Sequence, residues 1–521
     1  MGDVKSEDRP DAADEVGRGA LYLTVTKLWF MLSGYLIFFG LPRIFGSDEA
    51  GKALYGQYTV VNGFSAIFNA LVVQGTFQAV SRFVGRDVEQ ADSVRRAAYR
   101  LQLILGGGLF LVLFLAAPIV AERLYDDPGL TTPLRCAAFI LLFYAFYSVS
   151  TGYLNGRKLF KKQAVADFAY STLKVFGILL GAWLLQGWVG GVAGAFAGFA
   201  AAAGCVMLIA RRFAGPATGP GETSTRELFS FQTFTMAFTF VVTWVSKGDL
   251  QILKVALDHD ADRVNVLAGE YGVASQFATI PYQLVFAITL VLFPLVSAHA
   301  GRDPERIRLY IRQTTRYAAM IAMAVVCLFA ACPERTVLIL FKAAYLPAAG
   351  PLRLLALGYF CYSVFFIMCA VITASGRPRV SLALVGVVLA IQVVLGWALV
   401  DRYEGLGVAL GTTLGMLAGL VLAQVYLVKS YGQGIVSSVL LRVVGSGLII
   451  AALAQLLLAR STLWGGVGLL ANVGGTGLVS KLVTVGGFSV LGCGYIALLM
   501  FLGVIDADDR ARFTKMLRRG R

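Results

Sequence analysis

The sequence predicts an all-α integral membrane protein with fourteen transmembrane helices, arranged as two six-helix repeats followed by a C-terminal helix pair. Three observations lead to that fold class. Of 521 residues, 58% are hydrophobic and only 14% charged, with a mean hydropathy of +0.73, far from the usage of soluble domains. Lys and Arg gather in alternate connections between apolar runs, and the two halves of the chain resemble one another at a fixed spacing. A bilayer span needs roughly 20 apolar residues, so this composition supplies about fourteen and leaves too few to build a separate soluble core. A large extramembrane enzyme domain is therefore excluded.

The first 18 residues, MGDVKSEDRPDAADEVGR, are polar and mixed in sign. They lack the apolar core of a signal peptide, so the first span is expected to be retained behind a cytoplasmic tail, 1–19. An N-terminal lobe, 20–210, contains spans near 20–41, 56–81, 99–121, 134–155, 165–185 and 189–210. The stretch RRFAGPATGPGETSTRE, 211–227, is rich in Gly, Pro, Ser and Thr and reads as a cytoplasmic inter-lobe loop. A C-terminal lobe, 228–428, follows with spans near 228–249, 271–298, 310–332, 351–374, 380–400 and 405–428. Spans near 438–459 and 481–504 form the last pair, and 505–521 is a basic cytoplasmic tail.

An even number of spans puts both ends on one side, and the basic residues say which. With the N-terminus inside, the inner segments hold 29 of the 45 Lys+Arg, the outer connections and their helix ends 13, and three fall within spans. Short cytoplasmic loops retain positive charge during insertion. The net charge of +15 is thus mostly topological and rests against anionic lipid; no nucleic-acid partner is implied.

The repeat appears when 55–100 is set against 271–316. At an offset of 216 there are 11 identities in 46 positions without a gap, among them Tyr55-Gly56 with Tyr271-Gly272 and Gly85-Arg86-Asp87 with Gly301-Arg302-Asp303. Spans two and eight are six apart, so equivalent helices run in the same direction and the repeats are parallel. Duplicated bundles of this kind rock about a central cavity.

Polar residues inside spans mark the candidate site, because a charge at mid-span is costly unless it meets something wet or of opposite sign. Lys27 lies about seven residues into span one and Lys174 about nine into span five, which predicts a shared depth. Asp167, two turns before Lys174, is expected on the same face and able to tune it as an ion-pair partner; the bland alternatives are a structural pair there and snorkelling for Lys27. Span seven carries Gln232, Thr235, Thr239, Thr243 and Ser246 on one stripe with Lys247 adjoining, while span two carries Asn62, Ser65, Asn69 and Thr76 and span eight Ser275, Thr279, Tyr282 and Thr289. Small polar residues also pack helices together. The substrate-binding set read from these patterns is Lys27, Lys174, Asn62, Asn69, Thr239, Thr243 and Lys247, with Asp167 and Asp249 in tuning or coupling roles. Lys247, Lys254 and Arg442 lie near span ends, where snorkelling is the alternative.

Catalytic and metal chemistry find no residues. The two histidines are His259, in the acidic loop LDHDAD, and His299; the seven cysteines form neither a disulfide framework nor a zinc site. No GxxxxGK[ST] motif, Ser/His/Asp set or paired membrane carboxylates occur. The chain reads as a transporter without a cofactor, and its coupling to protons or to sodium ions is left open by the sequence.

Several stretches carry a family resemblance: LPRIFGSDEAGKALYGQY after span one; GDLQILK, GEYGVASQF and LFPLVSAHAGRD around spans seven and eight; VLILFKAAYLPAAGPLRLLALGYF before span ten; and TASGRPRVSLAL followed by YEGLGVALGTTLG. Over spans one to twelve the sequence resembles the polysaccharide-biosynthesis branch of the MOP superfamily, the Wzx-type flippases. The resemblance implies transfer of undecaprenyl-diphosphate-linked oligosaccharide, such as O-antigen units, from the inner to the outer leaflet of a bacterial inner membrane. It also implies a V-shaped two-lobe cavity, and a polysaccharide polymerase and a chain-length regulator as partners. A lysine-lined cavity suits a diphosphate, because ammonium groups are strong point-charge partners for phosphate. Two rivals share the superfamily. The lipid II flippases also have fourteen spans, but their early arginine pair is not evident here, where span one offers Lys27; the multidrug exporters use a membrane-embedded acid that spans one and two lack. A membrane glycosyl transferase or polymerase would need a larger outer loop with catalytic groups.

Overall fold

The computed structural model describes residues 12–217, 224–257, 260–286, 304–431, 438–458 and 477–505. Among them every regular element is helical. The chain divides into two compact units, Met1–Gly248 and Asp249–Arg521.

The first unit contains α1 (Ala12–Phe45), α2 (Glu49–Arg86), α3 (Ala91–Ile119), α4 (Thr131–Gly156), α5 (Phe160–Leu184), α6 (Gly191–Ala214) and most of α7 (Thr225–Ala256). Local chemistry sets the breaks. Gly46 takes a positive φ of 106° that a side chain would resist, and Asp48 then caps α2 by accepting from the Gly51 amide at 3.3 Å. After Pro118 the α3 ladder widens into a π turn, Val120–Leu124, and Asp126 adopts a φ of 48°. The buried carboxylate of Asp127 then accepts from the Gln57 amide at 3.1 Å, tying this turn to α2.

The second unit contains the end of α7, then α8 (Ala261–Ala278), a further helical stretch over 280–286, α9 (Pro304–Ala331), the short α10 (Pro333–Leu340), α11 (Ala349–Ala374), α12 (Pro378–Tyr431), α13 (Ser438–Leu458) and α14 (Leu478–Phe501). Its succession of elements echoes the first. In one unit a 3₁₀ turn, Pro128–Leu130, precedes the 26-residue α4 and a positive φ at Lys158; in the other a 3₁₀ turn, Ala343–Ala348, precedes the 26-residue α11 and a positive φ at Gly376.

Twelve stretches among the described residues are long and apolar enough to cross a bilayer. One of them, Pro378–Ser430, covers the expected spans eleven and twelve, two helices that meet at a kink at Glu404, where φ is 48° and ψ −130°. Much of span eight, with Thr289 and His299, lies outside the described residues, as does His259. Helix α1 begins eight residues before the expected first span, inside the polar tail. The first unit takes in α7 as far as Gly248. A polar node holds α7 against α2 and α3: buried Thr76 of α2 accepts from the amides of Gln102 at 2.6 Å and Gln232 at 2.8 Å. Gly75 lets α7 close in, since a Cβ there would lie 2.6 Å from Met236 Cγ.

Arg335, counted by sequence among outer-connection charges, is 1% exposed. It donates to the Leu458 carbonyl at the end of α13 and to Ser480 and Thr484 of α14, while the Gln455 amide of α13 donates to the Ala331 carbonyl. The terminal carbonyl of a helix needs an outside donor, and the guanidinium supplies several. Arg335→Met should therefore destabilise the docking of α13 and α14 by about 2–3 kcal/mol, the scale of a charge-assisted hydrogen bond lost in a buried setting. Detergent-denaturation midpoints followed by circular dichroism would show it; an unchanged midpoint would remove the clamp.

Candidate functional site

Two pairs of stacked rings set the register of α1 against α5. Trp29 stacks on Phe168 with centroids 5.6 Å apart, and Phe30 on Tyr170 at 5.9 Å; the Trp29 indole also donates to Thr172 at 3.0 Å. This register brings Lys27 level with Asp167, and the two lie within electrostatic range. Lys174 lies seven residues further along α5, and its ammonium reaches back to the ring of Phe30 on α1.

Asp167 accepts a 2.6 Å hydrogen bond from the Tyr147 hydroxyl of α4. Asp167 is thus hydrogen-bonded to Tyr147 and within electrostatic range of Lys27, while Lys174 lies two turns along the same helix. Lys174 has aromatic neighbours. Its ammonium lies 5.1 Å from the Phe199 ring centroid, 5.7 Å from Phe30 and 6.0 Å from Tyr170, on α6, α1 and α5. Tyr144 and Tyr147 extend this group, with ring centroids 5.4 and 5.8 Å from Tyr170. Ring faces attract a cation by roughly 0.5–2 kcal/mol each without cancelling its charge. The arrangement thus holds a half-buried ammonium in place with its charge left over for another anion.

Lys247 of α7 lies within electrostatic range of Lys174 and is also half-buried. The first unit thus places Lys27 near Asp167 and Lys247 near Lys174. Lys27 is exposed on α1. The hydroxyl stripes contribute less than sequence suggests. Thr239, Thr243 and Ser246 each donate to a carbonyl one turn back on α7, the way a hydroxyl is satisfied inside a membrane helix, leaving only acceptor lone pairs. In span two, Asn62 is half-buried, Asn69 donates to Ser65 at 3.0 Å, and the Asn69 carbonyl oxygen is buried without a partner.

The second unit holds a separate polar group. Asp249, 1% exposed, accepts from the Tyr271 hydroxyl at 2.9 Å and from the Leu250 amide at 2.8 Å. Lys254 is 3% exposed and donates to Asn265 at 2.8 Å. Lys254 does not snorkel: GDLQILK turns both Asp249 and Lys254 inward. Arg442 donates to the Leu502 carbonyl near the end of α14. Sequence reasoning missed the rings around Lys174, since Phe and Tyr on three helices give no local pattern, and it missed the partners of Lys254 for the same reason. Among the described residues no cluster of His, Cys, Asp and Glu is able to hold a metal ion.

A profile described as polysaccharide biosynthesis protein matches residues 51–350. The chain belongs to that family. This polysaccharide biosynthesis protein is 22% identical over 449 residues to the lipid II flippase MurJ of Bacillus subtilis (strain 168), covering 78% of its own length and 81% of the relative's. Its fold is similar to that of a lipid II flippase MurJ in an inward closed conformation, with a TM-score of 0.68 at 13% identity over 91% of this chain and 98% of the other. An inward-facing multidrug resistance MATE family transporter of the MOP superfamily gives 0.65 at 18% identity, over 80% and 98%. A MOP superfamily transporter from Pyrococcus furiosus, described by the reverse polarity of its binding pocket, gives 0.60 at 18% identity, over 80% and 95%. With twelve stretches among its described residues long and apolar enough to cross a bilayer, the chain is a multi-pass membrane protein whose fold is similar to that of MOP superfamily transporters.

Proposed function

We propose that this protein is a flippase for an undecaprenyl-diphosphate-linked oligosaccharide, moving it from the cytoplasmic to the outer leaflet of a bacterial inner membrane by alternating access, with both termini cytoplasmic. The observation that carries the reading is Lys174: an ammonium held by three aromatic rings, with Lys27 and Lys247 in the same unit and one carboxylate already occupied by Tyr147. Such a group favours an anion, and a diphosphate offers two adjacent phosphoryl groups to it. The family description supports a polysaccharide intermediate as the cargo. The second reading, lipid II as cargo, is favoured by the MurJ relative; both cargoes share the lipid diphosphate, so the sugar portion separates them.

Asp249 is the coupling group in this proposal. A buried carboxylate with one tyrosine and one amide donor can take up a proton or sodium ion in one conformation and release it in another. Proteoliposomes with fluorescent undecaprenyl-diphosphate oligosaccharide, lipid II and phosphatidylcholine in parallel test both points. The oligosaccharide should flip at least tenfold faster than phosphatidylcholine, and an imposed proton or sodium gradient should accelerate it in the native protein and not in Asp249→Asn. Flipping of lipid II alone would replace the cargo, and equal rates for all three lipids would remove the function.

A further inference from the structure

One cleft lies outside the site described above. Where α2 ends and α7 begins, Arg82, Phe83 and Arg86 face Glu227, Ser230 and Phe231 across a space of about 280 Å³. Arg82 and Arg86 are one turn apart and so project from the same face of α2. The Arg82 guanidinium lies over the Phe231 ring, 4.4 Å from its centroid, and Phe83 meets Phe231 edge to face at 6.2 Å, giving the cleft an apolar floor. Arg86 reaches Glu227 at only 3.8 Å, with both side chains largely exposed. An exposed pair at that distance contributes little. Two guanidiniums against one carboxylate leave the cleft with a net positive charge.

The cleft also sits at a defined depth. Arg86 is the last residue of one candidate span and Glu227 is in the first turn of another, so it lies at the level of lipid headgroups. We propose that it is a headgroup site for a phosphate-bearing lipid. A phosphate would accept from Arg82 and Arg86 through charge-assisted hydrogen bonds, which guanidinium geometry favours, and from the Ser230 hydroxyl, displacing Glu227. Exposed Phe229, next to Ser230 on α7, gives the attached chain apolar surface to follow, which a free phosphate would not use. The same chemistry fits an anionic phospholipid and the diphosphate of a lipid-linked sugar, and the site does not depend on the transport reading.

Native mass spectrometry of the delipidated full chain, titrated separately with phosphatidylglycerol, farnesyl diphosphate, inorganic diphosphate and phosphatidylcholine, tests this. The native protein should bind one or both anionic lipids at least tenfold more strongly than phosphatidylcholine or inorganic diphosphate, and which of the two binds identifies the source. Arg82→Gln with Arg86→Gln should weaken that binding about tenfold, Arg82→Lys with Arg86→Lys should weaken it less, and Glu227→Gln should strengthen it about threefold by removing the competing carboxylate. Unchanged binding in the double Gln variant, weaker binding in Glu227→Gln, or inorganic diphosphate binding as well as the lipids would overturn the proposal.

Discussion

Lys174→Gln is expected to lower flipping of the lipid-linked diphosphate by roughly 10- to 100-fold, with the protein still inserted at its normal level. The magnitude follows from losing one charge-assisted contact of about 1.5–3 kcal/mol to the cargo. The unchanged level follows from the surroundings of Lys174: its neighbours are the rings of Phe30, Tyr170 and Phe199, so removing the ammonium strands no buried acid. Asp167 keeps Tyr147 in the variant. Lys174→Arg retains the charge and should keep part of the activity. A structural role for Lys174 makes the opposite demand, a fall in protein level that Asp167→Asn restores. Parallel measurement of flipping rate and membrane-inserted protein separates these outcomes, and full-rate flipping by Lys174→Gln would dismiss the site.

Gly198→Val is expected to prevent accumulation of folded protein, a loss of more than about 4 kcal/mol. Helices α5 and α6 touch backbone to backbone through Gly177, Gly181, Gly194 and Gly198. A Cβ added at Gly198 would lie 1.9 Å from the Gly177 carbonyl oxygen, and one at Gly181 2.3 Å from that of Gly194. Neither atom is the end of a flexible side chain, so the helices would have to separate along their contact. Separation would also move Phe199 away from Lys174, so any surviving protein should transport poorly. Gly107→Val, where nothing lies within 4 Å of an added Cβ, serves as the control. Normal amounts of inserted Gly198→Val protein, measured by fluorescence-detected gel filtration, would contradict this packing.

The helical class and most helix positions were legible in the sequence because lipid leaves backbone polar groups no partners except one another, so each span announces itself as an apolar run of fixed minimum length. The start of α1 was not legible, since a helix extends beyond the hydrocarbon wherever its polar residues still favour it. Lys27, Lys174 and Asp249 were visible as charges in apolar surroundings, a signal that depends on each residue and its neighbours along the chain. Their partners were not. Asp167 is two turns from Lys174 along α5 but hydrogen-bonded to Tyr147, 20 residues away and on another helix, and helical periodicity relates positions within one helix only.

By itself, then, the sequence determined that the chain crosses the membrane many times, that its halves repeat, and which side chains are costly to bury. The tertiary structure decided what meets those side chains: aromatic rings for Lys174, Asn265 for Lys254, and the helix-end carbonyl of Leu458 for Arg335. The physical reason is that burial cost is a property of a residue and its local run, whereas its compensation requires atoms brought together from distant helices, at distances that close packing alone sets.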